Sequence, residues 1–191
     1  MYFEGNSATW EHQDTYYLDS ENMGTMVAAW VALENIEPEA GRFFVCPTSH
    51  KVDLEKQNAS NNVATKQDSY ISDIVDHIKD GDFEIRAPKL DKGDILLWSS
   101  RTIHGSLNSF SKSKSRSSIT CPVIPDSNKF LQFQSRTSDL KCDDVNDVSV
   151  WRPKDQLVLK NRIILLVESK FPTLFYWLKR QAIQVFMSRN N

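Results

Sequence analysis

The feature that most constrains the fold of this chain is the short run Trp10-Glu11-His12-Gln13-Asp14 near its start. Side chains alternate between two faces of an extended strand, so His12 and Asp14 should point to one face and Gln13 to the other. An imidazole nitrogen and a carboxylate oxygen suit ferrous iron when a second histidine completes a facial set of three ligands. An H-x-D run by itself is common and is compatible with a plain surface turn. The metal site therefore needs a second histidine from elsewhere in the chain.

A second stretch supplies the missing residue types. His104 follows an apolar run at residues 95–98, and Arg116 follows a Ser/Lys-rich segment that can reverse the chain. We therefore expect both side chains to face one pocket. The planar guanidinium of an arginine matches a carboxylate in a bidentate way, and the hydroxyl of Ser106 can add a hydrogen bond. Together the two stretches predict a metal centre beside an anion clamp that suits a dicarboxylate co-substrate.

Length and composition favour one globular domain. The chain has 191 residues, of which 40% are hydrophobic, and this is enough to bury a sizeable core. A charged fraction of 25% and a net charge of -2 argue against a disordered chain and against a nucleic-acid partner. The sequence shows no membrane span or leader, so we expect a cytoplasmic protein. The cysteines lie far apart, and we expect all of them to be reduced: Cys46, Cys121 and Cys142.

The residues between the two stretches indicate β-structure with one inserted helix. Residues 25–36 predict a long buried strand, and a turn with proline and glycine follows at residues 37–41. Residues 42–46 predict the antiparallel partner of that strand, which would make a hairpin. Further along, the pattern predicts a mobile loop at residues 52–69 and an amphipathic helix at residues 70–79. It predicts two more strands, at residues 83–85 and 95–98.

The C-terminal segment differs from the rest in charge. Residues 152–191 hold eight Lys/Arg and two Asp/Glu, so they carry +6 in a chain whose total is -2. Apolar residues recur at helical spacing on both sides of Pro172, which predicts a tail of two amphipathic helices. We expect their apolar sides to pack onto the β-structure, and a partner or membrane-surface role is the alternative. Residues 126–151 predict a polar connector.

Polar residues outside the two stretches favour ordinary roles. We expect structural or solvated side chains at four of them: His50, His77, Lys112 and Lys114. Arg101 stays open between a substrate contact and the protein surface. Because Tyr16 and Tyr17 alternate in facing, one of them should point into the core. Gln13 and Trp10 could support the metal ligands.

Six short motifs in one order resemble the phytanoyl-CoA dioxygenase family of iron(II)/2-oxoglutarate oxygenases. They are H-Q-D at 12–14, V-A-A-W at 27–30, N-I-E-P-E-A-G-R at 35–42, C-P-T-S-H-K at 46–51, K-G-D-I-L-L-W at 92–98 and H-G-S at 104–106. Arg116 completes the pattern. The resemblance covers residues 1–125, and we expect that most of the family's region before the H-x-D strand is missing from this chain.

The resemblance implies a mainly β fold with a double-stranded β-helix core, the jelly roll shared with cupins. It also implies an enzyme that uses Fe(II), 2-oxoglutarate and O2 to hydroxylate a C–H bond of a small organic substrate, with succinate and CO2 as co-products. Carried over position by position, the resemblance implies three iron ligands, which are His12, Asp14 and His104. It also implies three contacts to 2-oxoglutarate, which are Arg116, Ser106 and Trp30.

Other function classes stay open at the level of sequence. The main alternative is a non-catalytic or truncated member of the same fold that acts as a binding module. A cupin-like isomerase is a third class, and it would not form succinate stoichiometrically. Fold-level analogy does not choose the substrate among acyl thioesters, sugars, amino-acid derivatives and secondary metabolites.

Overall fold

The computed structural model describes residues 2–3, 8–52, 67–81, 83–134, 136–152 and 157–188. Within this part of the chain there are two compact units, the first running to Asp139 and the second beginning at Leu140. The predicted loop at residues 52–69 falls largely on residues 53–66, which lie outside the described residues.

Short antiparallel strands make up most of the first unit. In chain order they are β1 (Tyr2–Phe3), β2 (Thr9–His12), β3 (Leu18–Ser20), β4 (Val27–Ala32), β5 (Phe43–Val45), β6 (Ile95–Ser99), β7 (His104–Ser106), β8 (Ser118–Val123), β9 (Phe130–Gln132) and β10 (Arg136–Ser138). One four-stranded sheet has the order β1-β8-β4-β6, and two three-stranded sheets have the orders β2-β7-β5 and β10-β9-β3. The prediction of a mainly β fold is confirmed.

The predicted hairpin between residues 25–36 and residues 42–46 is wrong. Strand β4 pairs with β6 and β8, whereas β5 pairs with β7 in another sheet. Between them a short 3-10 helix, Pro38–Ala40, ends at Gly41, which has φ 74°. A Cβ at Gly41 would overlap the carbonyl oxygen of Leu107, so glycine is needed here for space as well as for conformation. The apolar pattern identified two buried strands but carried no information about their partners.

Aromatic side chains fill the space between the four-stranded sheet and the β2-β7-β5 sheet. Phe43 of β5 lies 5.8 Å from Trp30 of β4 and 4.9 Å from Trp98 of β6, measured between ring centroids. Trp30 and Trp98 are both buried, together with small residues of the same sheet such as Ala28. This packing places the buried rings of Phe43 and Trp98 beside His104 at the start of β7.

The inserted helix packs on the far side of β2. Helix α1 (Gln67–Asp80) includes the predicted residues 70–79 and begins three residues earlier. Its residues Tyr70 and Ile74 are buried in a cluster with Phe44 and Cys46. Burial raises the pKa of the Cys46 thiol to about 11, so this thiol is inert at neutral pH. All three cysteines of the chain are free thiols.

One further prediction of local structure was wrong, and one segment holds strands that were not predicted. Residues 83–85 form no strand, and only Arg86 makes an isolated bridge, to Val45. The residues of the predicted polar connector, 126–151, include short strands, since β9 pairs with β3 and β10 pairs with β9. Strands of three residues with mixed polarity give no readable alternation, which is why the sequence did not reveal them.

The second unit consists of a hairpin and two helices. Strands β11 (Cys142–Val145) and β12 (Val148–Trp151) pair with each other, and α2 (Leu159–Lys170) and α3 (Pro172–Ser188) follow. Proline is well suited to the first position of α3, where the missing N–H would have no helical partner. The Tyr176 hydroxyl donates to Glu168 Oε1 at 2.6 Å and ties the two helices together. No helix in the described part of the chain is long and apolar enough to cross a membrane.

Candidate metal centre

His12 and His104 lie opposite each other on neighbouring strands. His12 ends β2, His104 begins β7, and the two are register partners with ring centroids 4.3 Å apart. The strand does not continue to Asp14 as predicted, because a 3-10 helix, Asp14–Tyr16, begins there. The tight turn still returns the Asp14 carboxylate to the side on which the two imidazoles lie.

Asp14 completes a compact set of donor atoms. Its Oδ1 lies 3.8 Å from Nε2 of His12 and 3.5 Å from Nε2 of His104. One ligand atom from each of these three residues lies within 4.8 Å of the other two. Ligand bonds of about 2.0–2.2 Å place neighbouring ligands of one ion roughly 3 Å apart, so small side-chain shifts would let all three contact a single ion.

The second ring nitrogen of each histidine determines which nitrogen faces the site. Nδ1 of His12 lies 2.8 Å from the carbonyl oxygen of Trp10, and Nδ1 of His104 lies 2.9 Å from that of Thr102. A carbonyl oxygen only accepts hydrogen bonds, so each Nδ1 carries the proton and donates it. Nε2 is therefore the nitrogen of each ring that faces Asp14 and would bind an ion, an arrangement common among metal-binding histidines.

The charge states at neutral pH also suit a cation. Burial, reinforced by the neighbouring His104, lowers the pKa of His12 to about 4, so His12 is a neutral ligand at pH 7. Burial alone would raise the pKa of Asp14, but hydrogen bonds and nearby charge from His104, His12 and Trp98 outweigh it and lower that pKa. The site thus has an ionised carboxylate and at least one neutral imidazole without having to release protons.

An aromatic wall holds two of the three ligands. The indole Nε1 of Trp98 donates to Oδ2 of Asp14 at 3.0 Å. The rings of Trp98 and Phe43 lie 5.0 Å and 5.5 Å from the His104 ring, which is itself buried. This wall keeps water away from one side of the ligand set and limits the movement of His104.

Gln13 anchors the segment between the two N-terminal ligands. Its backbone N–H donates to the Tyr70 hydroxyl at 2.9 Å, and its side-chain Nε2 donates to the Arg101 carbonyl at 2.5 Å. The Tyr70 ring stacks on Tyr16 at 3.6 Å. Gln13 is buried, and both its backbone and its side chain are hydrogen-bonded. It therefore fixes the backbone that carries His12 and Asp14.

Arg116 and Ser106 form the predicted polar pair near the ligands. Arg116 is buried, and its Nη2 donates to Oγ of Ser106 at 3.1 Å. Its Nη1 donates to the carbonyl oxygen of Gly41. The Ser106 hydroxyl also accepts from the backbone N–H of Thr9 at 2.8 Å. These bonds fix the guanidinium beside the pair of strands, β2 and β7, that carries the two histidines. Burial lowers the pKa of Arg116.

The remaining predicted residues divide between core and surface. Trp30 is buried beside Phe43, and its role toward 2-oxoglutarate stays a prediction. Of the two tyrosines left open, Tyr16 is buried in the core, while the Tyr17 ring lies 5.9 Å from the His12 ring. Trp10 supports His12 through its carbonyl oxygen, and its side chain is exposed. His50, Lys112 and Lys114 are exposed and His77 is half-buried.

Arg101 packs against a turn. An added Cβ at Gly24 would lie 2.6 Å from Arg101 Nε, so the guanidinium covers this glycine closely. Two contributors to the site were missed by sequence reasoning: Trp98 as a donor to Asp14, and Tyr70 as a partner of Gln13. Trp98 was visible only as the last residue of the K-G-D-I-L-L-W motif, and Tyr70 only as the first residue of the predicted helix.

The family model for phytanoyl-CoA dioxygenase (PhyH) matches residues 3–118. No curated protein matches the sequence significantly. The crystal structure of SnoK, a non-heme alpha-ketoglutarate-dependent carbocyclase from nogalamycin biosynthesis, is similar with a TM-score of 0.54 and 19% identity. That match covers 68% of this chain and 49% of SnoK, so this chain spans about half the length of that protein.

Two further solved structures show weaker likeness. The epimerase SnoN in complex with Fe3+, alpha-ketoglutarate and nogalamycin RO has a TM-score of 0.48 and 18% identity, over 80% of this chain and 57% of SnoN. EctD from S. alaskensis with 2-oxoglutarate and 5-hydroxyectoine has a TM-score of 0.47 and 19% identity, over 69% of this chain and 44% of EctD. Independently of these likenesses, the His12, Asp14 and His104 group of this chain fits an iron site, in agreement with the predicted iron ligands.

The family match carries more weight than the likeness to SnoK, which at 19% identity supports the fold alone. It extends from β1 to the start of β8 and so includes both histidines, Asp14, Ser106 and Arg116. It supports a general dioxygenase-type function and confirms the resemblance drawn from the six motifs. The chain belongs to the phytanoyl-CoA dioxygenase family.

Proposed function

We propose that this chain is the core of an iron(II)- and 2-oxoglutarate-dependent dioxygenase that hydroxylates a C–H bond of a small organic substrate. We further propose that its four-stranded sheet and its β2-β7-β5 sheet are the two sheets of a jelly roll. The observation that carries the proposal is the placement of His104 and Ser106 two residues apart on one strand. Both side chains therefore lie on the same face of β7, one with the metal ligands and the other with Arg116.

The spacing on β7 suits the proposed co-substrate. Two residues of a strand span roughly 7 Å, which is close to the length of a five-carbon dicarboxylate. One end of 2-oxoglutarate would lie beside His104, and its far carboxylate would accept hydrogen bonds from Arg116 and Ser106. A bidentate guanidinium is stronger and more selective for a carboxylate than a lysine would be. Trp30, buried in the same core, would line this pocket.

The residues of the chain have distinct parts in the proposed reaction. His12, Asp14 and His104 would hold iron, and a set of two histidines and one carboxylate would leave the ion able to bind further ligands. Bound iron would supply the chemistry that splits O2 and couples decarboxylation of 2-oxoglutarate to oxidation of the substrate. Trp98 and Phe43 exclude water beside His104. The protein therefore positions the reactants and keeps the site dry, which is the usual contribution of a protein to cofactor chemistry.

Two other functions are compatible with the same fold. A non-catalytic binding module would keep the anion clamp without turnover, and a cupin-like isomerase would bind a metal without consuming 2-oxoglutarate. The complete donor set favours the oxygenase over a binding module without a metal, and the pairing of Arg116 with Ser106 favours it over an isomerase that binds no 2-oxoglutarate. We propose a cytoplasmic location and a small-molecule substrate.

The test is a screen for oxidation that depends on both cofactors. The protein is incubated with metabolite pools, ferrous iron, 2-oxoglutarate and air, and products are searched by mass spectrometry for a gain of one oxygen atom. Succinate should form in equal amount to the oxidised product, and His104→Ala should form neither. His50→Ala, which removes an exposed histidine, should behave like the unmutated protein. A converted substrate without succinate would indicate the isomerase instead.

A further inference from the structure

The side chain of Trp98 contacts two of the three proposed ligands, Asp14 and His104. Its indole N–H donates to Oδ2 of Asp14, whereas Oδ1 of Asp14 faces Nε2 of both histidines. We propose that Trp98 is a positioning residue that selects Oδ1 of Asp14 as the metal ligand and withholds Oδ2. The inference rests on the metal centre of the proposed function and adds to it a residue that determines how the carboxylate binds.

The choice between one and two carboxylate oxygens matters for this type of site. A carboxylate can bind a metal through one oxygen or through both, and the second oxygen would occupy a position that O2 or 2-oxoglutarate requires. A donor aimed at Oδ2 makes that oxygen a poorer ligand and orients the carboxylate plane. Outer-shell donors of this kind commonly fix the orientation of ligands in metal sites.

Trp98 is held firmly enough to perform this role. It lies on β6 opposite Ala28 of β4, and its side chain is only 6% exposed. Its ring packs against Phe43 and against the His104 ring, with centroids 4.9 Å and 5.0 Å away. The indole therefore cannot turn away from Asp14 without disturbing His104. One side chain thus restrains two of the three ligands, His104 by packing and Asp14 by a hydrogen bond.

The packing role and the hydrogen-bond role can be separated experimentally. Trp98→Phe removes the N–H and shortens the ring, whereas replacement of Trp98 by benzothienylalanine removes the N–H and keeps the bicyclic shape. Both proteins are titrated with Co(II) alone, without oxygen or 2-oxoglutarate, and the Kd and the visible d–d bands are recorded. Thermal melting of the metal-free proteins monitors folding, and His104→Ala serves as the ligand-loss control.

We expect the benzothienylalanine protein to melt like the unmutated protein, to bind Co(II) about 10- to 100-fold more weakly and to show altered d–d bands. Trp98→Phe should be weakened at least as much. The inference is overturned if the benzothienylalanine protein matches the unmutated protein in both Kd and bands, because Trp98 would then act only by packing. In that case a loss of binding in His104→Ala leaves the proposed function standing. Absence of His104-dependent Co(II) binding in the unmutated protein would overturn both.

Discussion

Arg116 and Ser106 are joined by a buried hydrogen bond of 3.1 Å from the guanidinium to the hydroxyl. Ser106 lies on the strand that begins with His104, so this bond ties the anion clamp directly to the metal ligands. The guanidinium is also anchored on the Gly41 carbonyl oxygen, which fixes its plane. A carboxylate that docks here meets donors that are already oriented, and this lowers the entropic cost of binding.

The first prediction concerns the affinity for 2-oxoglutarate. Arg116→Ala should raise the Kd of 2-oxoglutarate by about 30- to 150-fold, which corresponds to the loss of about 2–3 kcal/mol for a charge-assisted contact. The affinity for Co(II) alone should change little. Both constants can be measured by anaerobic calorimetry, with melting curves to confirm folding because the Gly41 carbonyl loses its partner. Lys114→Ala is the control, since Lys114 is exposed. Unchanged affinity for 2-oxoglutarate would assign the clamp to another cation, with Arg101 the next to test.

The second prediction concerns the three proposed ligands. Anaerobic addition of ferrous iron and 2-oxoglutarate should give the weak visible band of a chelated 2-oxo acid. His12→Ala and His104→Ala should each abolish the band, because either change removes one of the donor atoms that lie within 4.8 Å of each other. His50→Ala should leave it intact. A ligand variant that kept both the band and full iron affinity would refute the assignment.

The third prediction is a pH dependence of the metal-free protein. The pKa of His12 falls from 6.5 to about 4 on folding. Between these values the unfolded chain binds a proton at His12 that the folded chain does not, so stability falls as the pH drops. The loss from pH 7 to pH 4.5 should be about 2–3 kcal/mol smaller in His12→Gln than in the unmutated protein. Urea unfolding at the two pH values measures it, with His50→Gln as the control. Equal losses in the two proteins would show that His12 titrates normally.

The fourth prediction concerns a buried carboxylate that serves structure. Asp19 is fully buried, and its Oδ1 accepts from the N–H groups of Ser20 and Met26 at 2.7 Å and 3.2 Å. Its Oδ2 accepts from the Gly24 N–H and from the Ser100 hydroxyl, each at 2.8 Å. Asp19→Ala leaves these donors without that acceptor, so the free energy of unfolding should fall by at least about 3 kcal/mol.

Chemical denaturation gives the measurement for Asp19→Ala. The matched control is Asp91→Ala, because Asp91 is an exposed carboxylate paired only with Lys89, at 3.0 Å, among the ion pairs of the described residues. That change should cost less than about 1 kcal/mol. Similar losses for the two variants would mean that the Asp19 network does not stabilise the fold.

The fifth prediction distinguishes hydroxylation from halogenation. Related iron halogenases have a small residue in place of the aspartate ligand, and chloride takes the vacated position. This chain keeps Asp14, whose carboxylate would take the position that a halide needs. Once a substrate is found, turnover in high chloride should give only the hydroxylated product by mass spectrometry. Asp14→Gly should lose most hydroxylation. A chlorinated main product from the unmutated protein would disprove the assignment.

The sequence by itself determined the family of this protein and much of its local structure. His12, Asp14, His104 and Arg116 were readable as candidate ligands and an anion clamp from their residue types, and six motifs in order were enough to indicate the family. The helix that contains Tyr70 was also predictable, because its apolar residues repeat at helical spacing.

Tertiary structure decided which strands pair and which side chains support the site. Strands β4 and β5 both have buried faces, but the partner of a strand depends on contacts distant in the chain, so an apparent hairpin became strands of two sheets. The hydrogen bond from Trp98 to Asp14 joins residues 84 positions apart and leaves no local pattern. Periodicity reports what each segment buries, whereas the identity of its neighbour is set only when the whole core packs.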